Sequence, residues 1–194
     1  MKEITSVTYN CDCYEYMKSL PDKFFDLCLC DPPYVALEDN TGHIRTNQGN
    51  TISLALGGKP SDEVFQEIFR VSKHQIIWGA NNFGYPFQGF VVWEKTNIPD
   101  DFTMSKCEIA SLDKELSRVS KMVRMPSSAT HGEKRIHPTQ KPVELYAWLL
   151  NKYAKKDWKI FDPCLGSGSS RIACDKLGFD FVGCEINKEF YDLQ

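Results

Sequence analysis

The sequence predicts an α/β chain built on a mostly parallel, doubly wound sheet held between two layers of helices. The first observation behind this is Phe24-Phe25-Asp26-Leu27-Cys28-Leu29-Cys30, a nearly continuous apolar run. Such a run reads as a strand buried on both faces, as in a parallel sheet. The second is the break that follows it, Asp31-Pro32-Pro33-Tyr34. Its prolines remove two backbone donors and fix two φ angles, so neither strand nor helix continues. The third is a short lead, Ile160-Phe161, running into Asp162-Pro163-Cys164-Leu165-Gly166-Ser167-Gly168-Ser169, a glycine-bearing turn that opens a helix. Both turns then stand at the carboxyl ends of strands, where open α/β sheets bind ligands.

The remaining elements follow in chain order. Val7-Thr8-Tyr9 is a short strand. Asp12 precedes a helical stripe of Cys13, Tyr16, Met17 and Leu20, with Glu15 placed for a capping box and Pro21 as the stop. Residues 35–60 carry no sustained period and are rich in Asn and Gly, which makes them a mobile loop. Ser61 caps a helix with Asp62 and Glu63 in its first turn, an apolar face of Val64, Phe65, Ile68, Phe69 and Val71, and Arg70, Lys73 and His74 in its last turn. Gln75-Ile76-Ile77-Trp78 is a strand closed by Gly79, and 81–86 is a turn. Strands follow at Gly89–Lys95 and Cys107–Leu112, with a loop at 96–106. Trp78 and Trp93 belong to the core, whereas Asn81, Asn82 and Phe83 are candidates for substrate contact. Pro142 stands in the first turn of a helix carrying Val143, Tyr146, Ala147, Leu150 and Ala154. Residues 171–177 are a helix ended by Gly178, 179–184 the last strand, and a final helix starts near Asn187.

The 194 residues suit one domain, 1–194, and the apolar (42%) and charged (25%) fractions are those of a soluble globular chain. No stretch is long and apolar enough for a membrane span, and Met1–Ser6 lacks a secretory signal, so the expected location is cytoplasmic. A net charge of −3 excludes a generally basic nucleic-acid binder but not a local basic face. The eight cysteines form no C-x-x-C pair. Cys11/Cys13 and Cys28/Cys30 are spaced to share one face of a strand, as small buried thiols rather than a metal site. The most positive window is 114–137, with Lys114, Arg118, Lys121, Arg124, Lys134 and Arg135.

The two turns also carry chemistry. At the first, Asp31 and the Pro32 carbonyl can accept the two hydrogens of a planar amine while Tyr34 stacks on its ring. The bland alternative is a capped strand end with a proline turn. At the second, Gly166 and Gly168 allow close backbone approach, and Glu185 follows Gly166 by 19 residues, the distance at which an acidic residue takes ribose hydroxyls. The G-x-G-x-x-G spacing is missing, and a carboxylate at Asp162 would repel a pyrophosphate but suit the ammonium of a methionine moiety, which favours S-adenosylmethionine over a dinucleotide.

Together these turns resemble the motifs of the amino-methyltransferases that modify exocyclic amines in DNA, and His137-Pro138-Thr139-Gln140-Lys141-Pro142 resembles the segment that precedes the cofactor loop in that family. The order, catalytic motif first, looks like the circularly permuted beta group. Asp at the first catalytic position resembles the adenine-N6 enzymes, since cytosine-N4 enzymes typically carry Ser there. The resemblance spans nearly the whole chain. It implies a Rossmann-like, circularly permuted class I methyltransferase fold in three α/β/α layers, with DNA as partner and S-adenosyl-L-methionine as cofactor.

The same resemblance implies Asp31, Pro32, Pro33 and Tyr34 as catalytic. It implies Asp12, Cys13, Asp31, Lys141, Asp162, Pro163, Cys164, Gly166, Ser167, Gly168, Ser169, Glu185 and Ile186 as cofactor-binding, with Lys141 serving the methionine carboxylate. Cys164 stands where many relatives have Phe. Loop 35–60 is expected to lie over the target. Phosphate contacts are expected from Arg45, Lys59, Arg118, Lys121, Arg124, Lys134 and Arg135, and from His43. Larger relatives insert a target-recognition domain where this chain has only the short basic segment 114–137. Recognition therefore falls to loops alone, to a homodimer or partner subunit, or is weak. The open alternatives are methylation of cytosine N4, an RNA adenine or a protein amide, and a non-catalytic relative that binds cofactor or DNA.

Overall fold

The structure, a computed structural model, describes residues 5–34, 41–45, 51–55, 58–85, 87–102, 105–127 and 135–194, with only the backbone of 41–45 and 51–55. The chain runs β1 (Ser6–Asn10), α1 (Cys13–Lys18), β2 (Phe25–Cys30), β3 (Thr41–Arg45), β4 (Thr51–Ala55), α2 (Asp62–Val71) and β5 (Ser72–Trp78). After a single 3-10 turn at Ala80–Asn82 come β6 (Gly89–Lys95), β7 (Cys107–Leu112), β8 (Lys121–Met125), α3 (Val143–Tyr153), β9 (Lys159–Asp162), α4 (Ser169–Leu177), β10 (Asp180–Glu185) and α5 (Lys188–Leu193).

Eight strands form one sheet in the order β1-β10-β9-β2-β5-β7-β6-β8. Neighbours from β1 to β5 are all parallel, β7 is antiparallel to both β5 and β6, and β8 is parallel to β6. At the centre, β2 pairs with β9 through Leu27↔Ile160 and Cys28↔Phe161. From β9 the chain winds outward through α4 to β10, and from β2 it winds the other way through α2 to β5. The crevice beyond the carboxyl ends of β2 and β9 is therefore the topological switch point, where ligands bind in such sheets.

Each face of the sheet has its own core. Leu27, Leu29, Ile76, Trp78 and Ile160 pack against Leu145, Leu149, Leu150 and Ala173 of α3 and α4. Cys28, Cys30, Ile77 and Phe161 pack against Met17 of α1 and Phe65, Ile68 and Val71 of α2. This alternation is the three-layer arrangement expected of the apolar strands. Trp78 and Trp93 are buried in the first core, as expected. Phe25 and Phe161 stack with centroids 4.4 Å apart and planes at 4°.

Several expectations change. Asp12 caps α1 by accepting from the Tyr14 N–H at 2.8 Å, but there is no reciprocal capping box, because Glu15 turns to Lys18 at 3.2 Å. The helix also ends at Lys18, short of Pro21. Cys11 and Cys13 do not share a strand: β1 stops at Asn10 and Cys13 opens α1. Within 35–60, β3 and β4 form an antiparallel pair with Ile44 opposite Ile52, although each is too short and Gly-flanked to stand out by period. Lys73 and His74 are not in the last turn of α2. Ser72 turns extended, its hydroxyl bonding back to Ile68 O at 2.5 Å, and β5 begins there. Lys73 then pairs with Asp26 of β2 at 2.7 Å. Pro142 is the N-cap of α3 rather than part of its first turn. The basic window contains β8, an edge strand in which Val123 is the inward residue and Lys121, Met122 and Arg124 are exposed. Among the described residues, no helix is long and apolar enough to cross a membrane.

Replacing Phe161 with Ala should lower stability by about 3–5 kcal/mol in urea unfolding, the range for emptying a large aromatic site in a core. A loss under about 1 kcal/mol would mean the Phe25–Phe161 stack does not anchor the β2–β9 seam.

Candidate active site

Two strand ends meet here. Cys30 closes β2, and Asp31-Pro32-Pro33-Tyr34 leaves it at the top of the crevice. Pro32 is buried, and Tyr34 is 38% exposed with its ring laid against the backbone of Gly79. Gly79 closes β5 in the left-handed region at φ 64°, and its N–H donates to Ile109 O at 2.8 Å. A Cβ there would come within 2.6 Å of Tyr34 Cδ1, so only glycine lets the ring lie where it does.

The second strand end is the loop from Asp162 to Gly168. Gly166 and Gly168 both take positive φ, 54° and 75°, which bends the chain into α4. Glu185, ending β10, pins the loop. Its Oε2 accepts from Gly166 N and its Oε1 from Asn187 N, both at 2.8 Å. Burial pushes its carboxyl up, against the pull of these N–H groups.

Between the two ends lies one cavity of about 600 Å³, lined by residues of both motifs. Of the residues singled out by sequence, Asp12, Cys13, Asp31, Pro32, Pro33, Tyr34, Arg135, Lys141, Pro163, Cys164, Gly166, Ser167, Glu185 and Ile186 stand on its wall. Asp162, Gly168 and Ser169 do not line it. Asp162 is buried and gives its oxygens to Cys164 N at 3.0 Å and the Ser170 hydroxyl at 2.5 Å, closing the loop from beneath. Burial pushes its carboxyl up to about 7, opposed by those two hydrogen bonds.

Lys141 is not turned toward the loop. Its ammonium, 4% exposed, is hydrogen-bonded to Asp31 Oδ2, lies 3.1 Å from Glu108 Oε2 and sits 5.2 Å above the Trp78 ring. Glu108 in turn takes Lys95 at 2.6 Å. Burial alone would lower the Lys141 ammonium, but Asp31 and Glu108 reverse this and hold it above its usual range. Burial raises the Asp31 carboxyl in spite of Lys141, whereas Lys141 and Lys95 overcome burial at Glu108 and lower it.

Glu108, Lys95, Trp93, Tyr146 and His137 also line the cavity and were not anticipated in these roles. A lysine closing a strand that opens on the apolar run Phe90-Val91-Val92-Trp93, as Lys95 does, was the available signal. His137 packs on Phe190 with ring centroids 4.2 Å apart and faces Gly166. Burial, with Lys141 and Arg135 nearby, lowers it to about 4, so it is neutral at pH 7. Its Nδ1 accepts from Thr139 N at 3.3 Å, which leaves the proton on Nε2.

Asn81, Asn82 and Phe83 do not reach this cavity. Phe83 is buried against Phe65, and the Asn82 amide donates to Gly79 O at 2.9 Å, so these two serve local structure, while Asn81 is exposed. Of the basic residues, Arg135 stands on the cavity wall and donates to the carbonyls of His137 and Pro138. Lys59, between wall residues Gly58 and Pro60, donates to Asn82 O at 3.0 Å, and Arg124 pairs with Glu94 at 2.8 Å. Because β8 runs parallel to β6, Lys121 begins it at the end away from the cavity, about 13 Å from Met125 at 3.3 Å per residue. Arg118 precedes it. Lys134, and the side chains of His43 and Arg45, lie outside what the structure describes.

Residues 59–194 match the N6/N4 methyltransferase family, described as DNA methylase. The chain belongs to this DNA methylase family. It is 27% identical to the Escherichia coli (strain K12) protein YubD over 93% of this chain and 84% of that one. It is 24% identical to the type II methyltransferase M2.MboI of Moraxella bovis, covering 95% and 84%. Among solved structures, the M1.HpyAVI–SAM complex superposes with a TM-score of 0.62 at 18% identity, covering 96% of both chains. The cytosine-N4-specific PvuII DNA methyltransferase gives 0.65 at 13%, covering 96% of this chain and 84% of that one. These likenesses show the class I methyltransferase fold. The cavity of this DNA methylase thus joins its two motif-bearing strand ends.

Gly79→Ala should slow methyl transfer in the Tyr34 background and cost little more in a Tyr34→Ala background, beyond about 1 kcal/mol of backbone strain. Equal losses in both backgrounds, measured as single-turnover rates, would separate Gly79 from the ring.

Proposed function

We propose that this methylase transfers a methyl group from S-adenosylmethionine to N6 of an adenine extruded from DNA. The observation that carries the proposal is the single cavity shared by Asp31–Tyr34 and by Gly166 and Glu185. Its volume falls within the usual range for ligand sites, a few hundred to about 1,000 Å³.

The loop side suits the cofactor. Asp12 has one oxygen on Tyr14 N and the other available to an amino group. Cys13, Pro163, Cys164 and Ile186, the last 68% exposed, offer apolar surface to a purine. Glu185 has lone pairs beyond its backbone bonds for ribose hydroxyls. Asp162 supports this side from below instead of contacting the ammonium, and Lys141 serves the other side. When bound, S-adenosylmethionine supplies an electrophilic methyl group on a sulfonium.

The chain's part is to prepare the acceptor. The lone pair of an aromatic amine is delocalised into its ring. Asp31 and the Pro32 carbonyl accept hydrogen bonds from the amine's two N–H groups, which draws the nitrogen toward tetrahedral geometry and frees the lone pair. The gain is positioning and preorganised charge. Tyr34, backed by Gly79, replaces the stacking lost when the base leaves the duplex. Lys59 and Arg135, beside and on the cavity wall, together with Arg124 and Arg45, are the proposed phosphate contacts. Lys121 begins β8 at the end opposite Met125, and Arg118 precedes it. Asp at the head of the catalytic motif favours adenine over cytosine.

Asp31→Ala should abolish methyl transfer to DNA while leaving cofactor affinity within about threefold, less than the 1.4 kcal/mol that a tenfold change represents. Mass analysis of nucleosides from DNA treated with the active chain should show N6-methyladenine. N4-methylcytosine would overturn the choice of base, and parallel loss of turnover and cofactor binding would overturn the role of Asp31.

A further inference from the structure

The charged wall of the cavity extends past Asp31. Lys141 bridges Asp31 and Glu108, and Glu108 bridges Lys141 and Lys95, so that four charged side chains alternate in sign along one line. Lys95 and Lys141 are each less than a tenth exposed. The four come from separate places: β2's end, the segment before α3, β7 and the end of β6. Glu108 faces this end of the sheet because β7 runs opposite to its neighbours.

We infer that Glu108 is a positioning residue for methyl transfer, acting through Lys141 on Asp31. The inference rests on the reading of Asp31 as the amine acceptor. A carboxylate that must present one oxygen to an incoming amine needs its other oxygen held. Lys141 holds Oδ2. A lysine head on a four-carbon stem has rotational freedom of its own, and Glu108, at 3.1 Å, and the Trp78 face beneath it remove that freedom. Lys95 fixes Glu108 in the same way, at 2.6 Å from its other oxygen. Glu108 also competes with Asp31 for the Lys141 ammonium. Its charge favours the protonated form of Asp31, while Lys141 favours the ionised one. The line therefore sets the direction of the Asp31 carboxylate and adds to burial, the largest influence, in shifting the pH at which it ionises. No atom of Glu108 needs to meet the base.

The test compares Glu108→Gln with the unaltered chain in single-turnover transfer of labelled methyl groups to DNA across pH, alongside cofactor affinity and melting temperature. The plateau rate should fall roughly tenfold to a hundredfold, the scale of a small misplacement at a reacting centre. The acid limb of the rate should move to lower pH, because the anion that disfavours Asp31 ionisation is gone. Cofactor affinity should stay within about twofold, far less than a tenfold, 1.4 kcal/mol change. Should the Gln variant not fold, Glu108→Asp, which keeps the charge and shortens the reach by one methylene, should show the fall in plateau with the acid limb in place. An unchanged plateau, or a fall matched by equal loss of cofactor affinity, overturns the inference. If Asp31→Ala itself remains active, the reading of Asp31 fails. If Asp31→Ala is inactive and Glu108→Gln keeps the plateau of the unaltered chain, only the role of Glu108 fails.

Discussion

The architecture of the site depends on one piece of backbone pairing, the parallel seam between β2 and β9. Leu27 lies opposite Ile160 and Cys28 opposite Phe161, joining segments more than a hundred residues apart in the chain. Asp26 adds a side-chain tie across the seam, its Oδ2 accepting from Lys159 N at 2.9 Å, while its Oδ1 takes Lys73 of β5. Because the strands are parallel and in register, the turns that leave them leave side by side. Asp31 and Pro163 then open on one cavity rather than on opposite ends of the sheet. A one-residue slip would reverse the faces of Leu27 and Cys28 and exchange the two cores.

Charge is arranged unevenly around that cavity. On the loop side, carboxylates are satisfied by neutral donors: Glu185 by the N–H groups of Gly166 and Asn187, Asp162 by Cys164 N and the Ser170 hydroxyl. These bonds hold a glycine turn in the conformation that leads into α4. On the Asp31 side, carboxylates are satisfied by lysines, in the line from Lys95 to Asp31. Removing one member of a buried line like this leaves an uncompensated charge, so each member constrains the next. The loop side is thus braced by neutral donors, and the Asp31 side by formal charge.

What the sequence made legible is what is local. The apolar run before Asp31, the proline break, the glycine turn and the spacing to Glu185 each stand in a few consecutive residues, and the structure puts them in one place. Less legible were features created by pairing. Val123 is the inward residue of β8, too little to mark a strand among charged neighbours. Glu108 reads as an ordinary polar residue at the start of a strand, and only the reversed direction of β7 brings it to Lys141. Lys141 sits in a segment resembling a cofactor element, yet its partner is decided by Asp31, 110 residues away. Asn82 and Phe83 stand at a strand's carboxyl end as a substrate contact would, but Gly79 and Phe65 claim them.

Everything in this account turns on one cavity receiving both the cofactor and the base. The most direct measurement is calorimetric binding of a bisubstrate analogue in which the adenine N6 of one adenosine is linked to a cofactor mimic. A single shared cavity predicts one molecule per chain, binding tighter than the cofactor mimic alone and weakened by Asp31→Ala. Affinity equal to that of the mimic alone, and unaffected by Asp31→Ala, would contradict it.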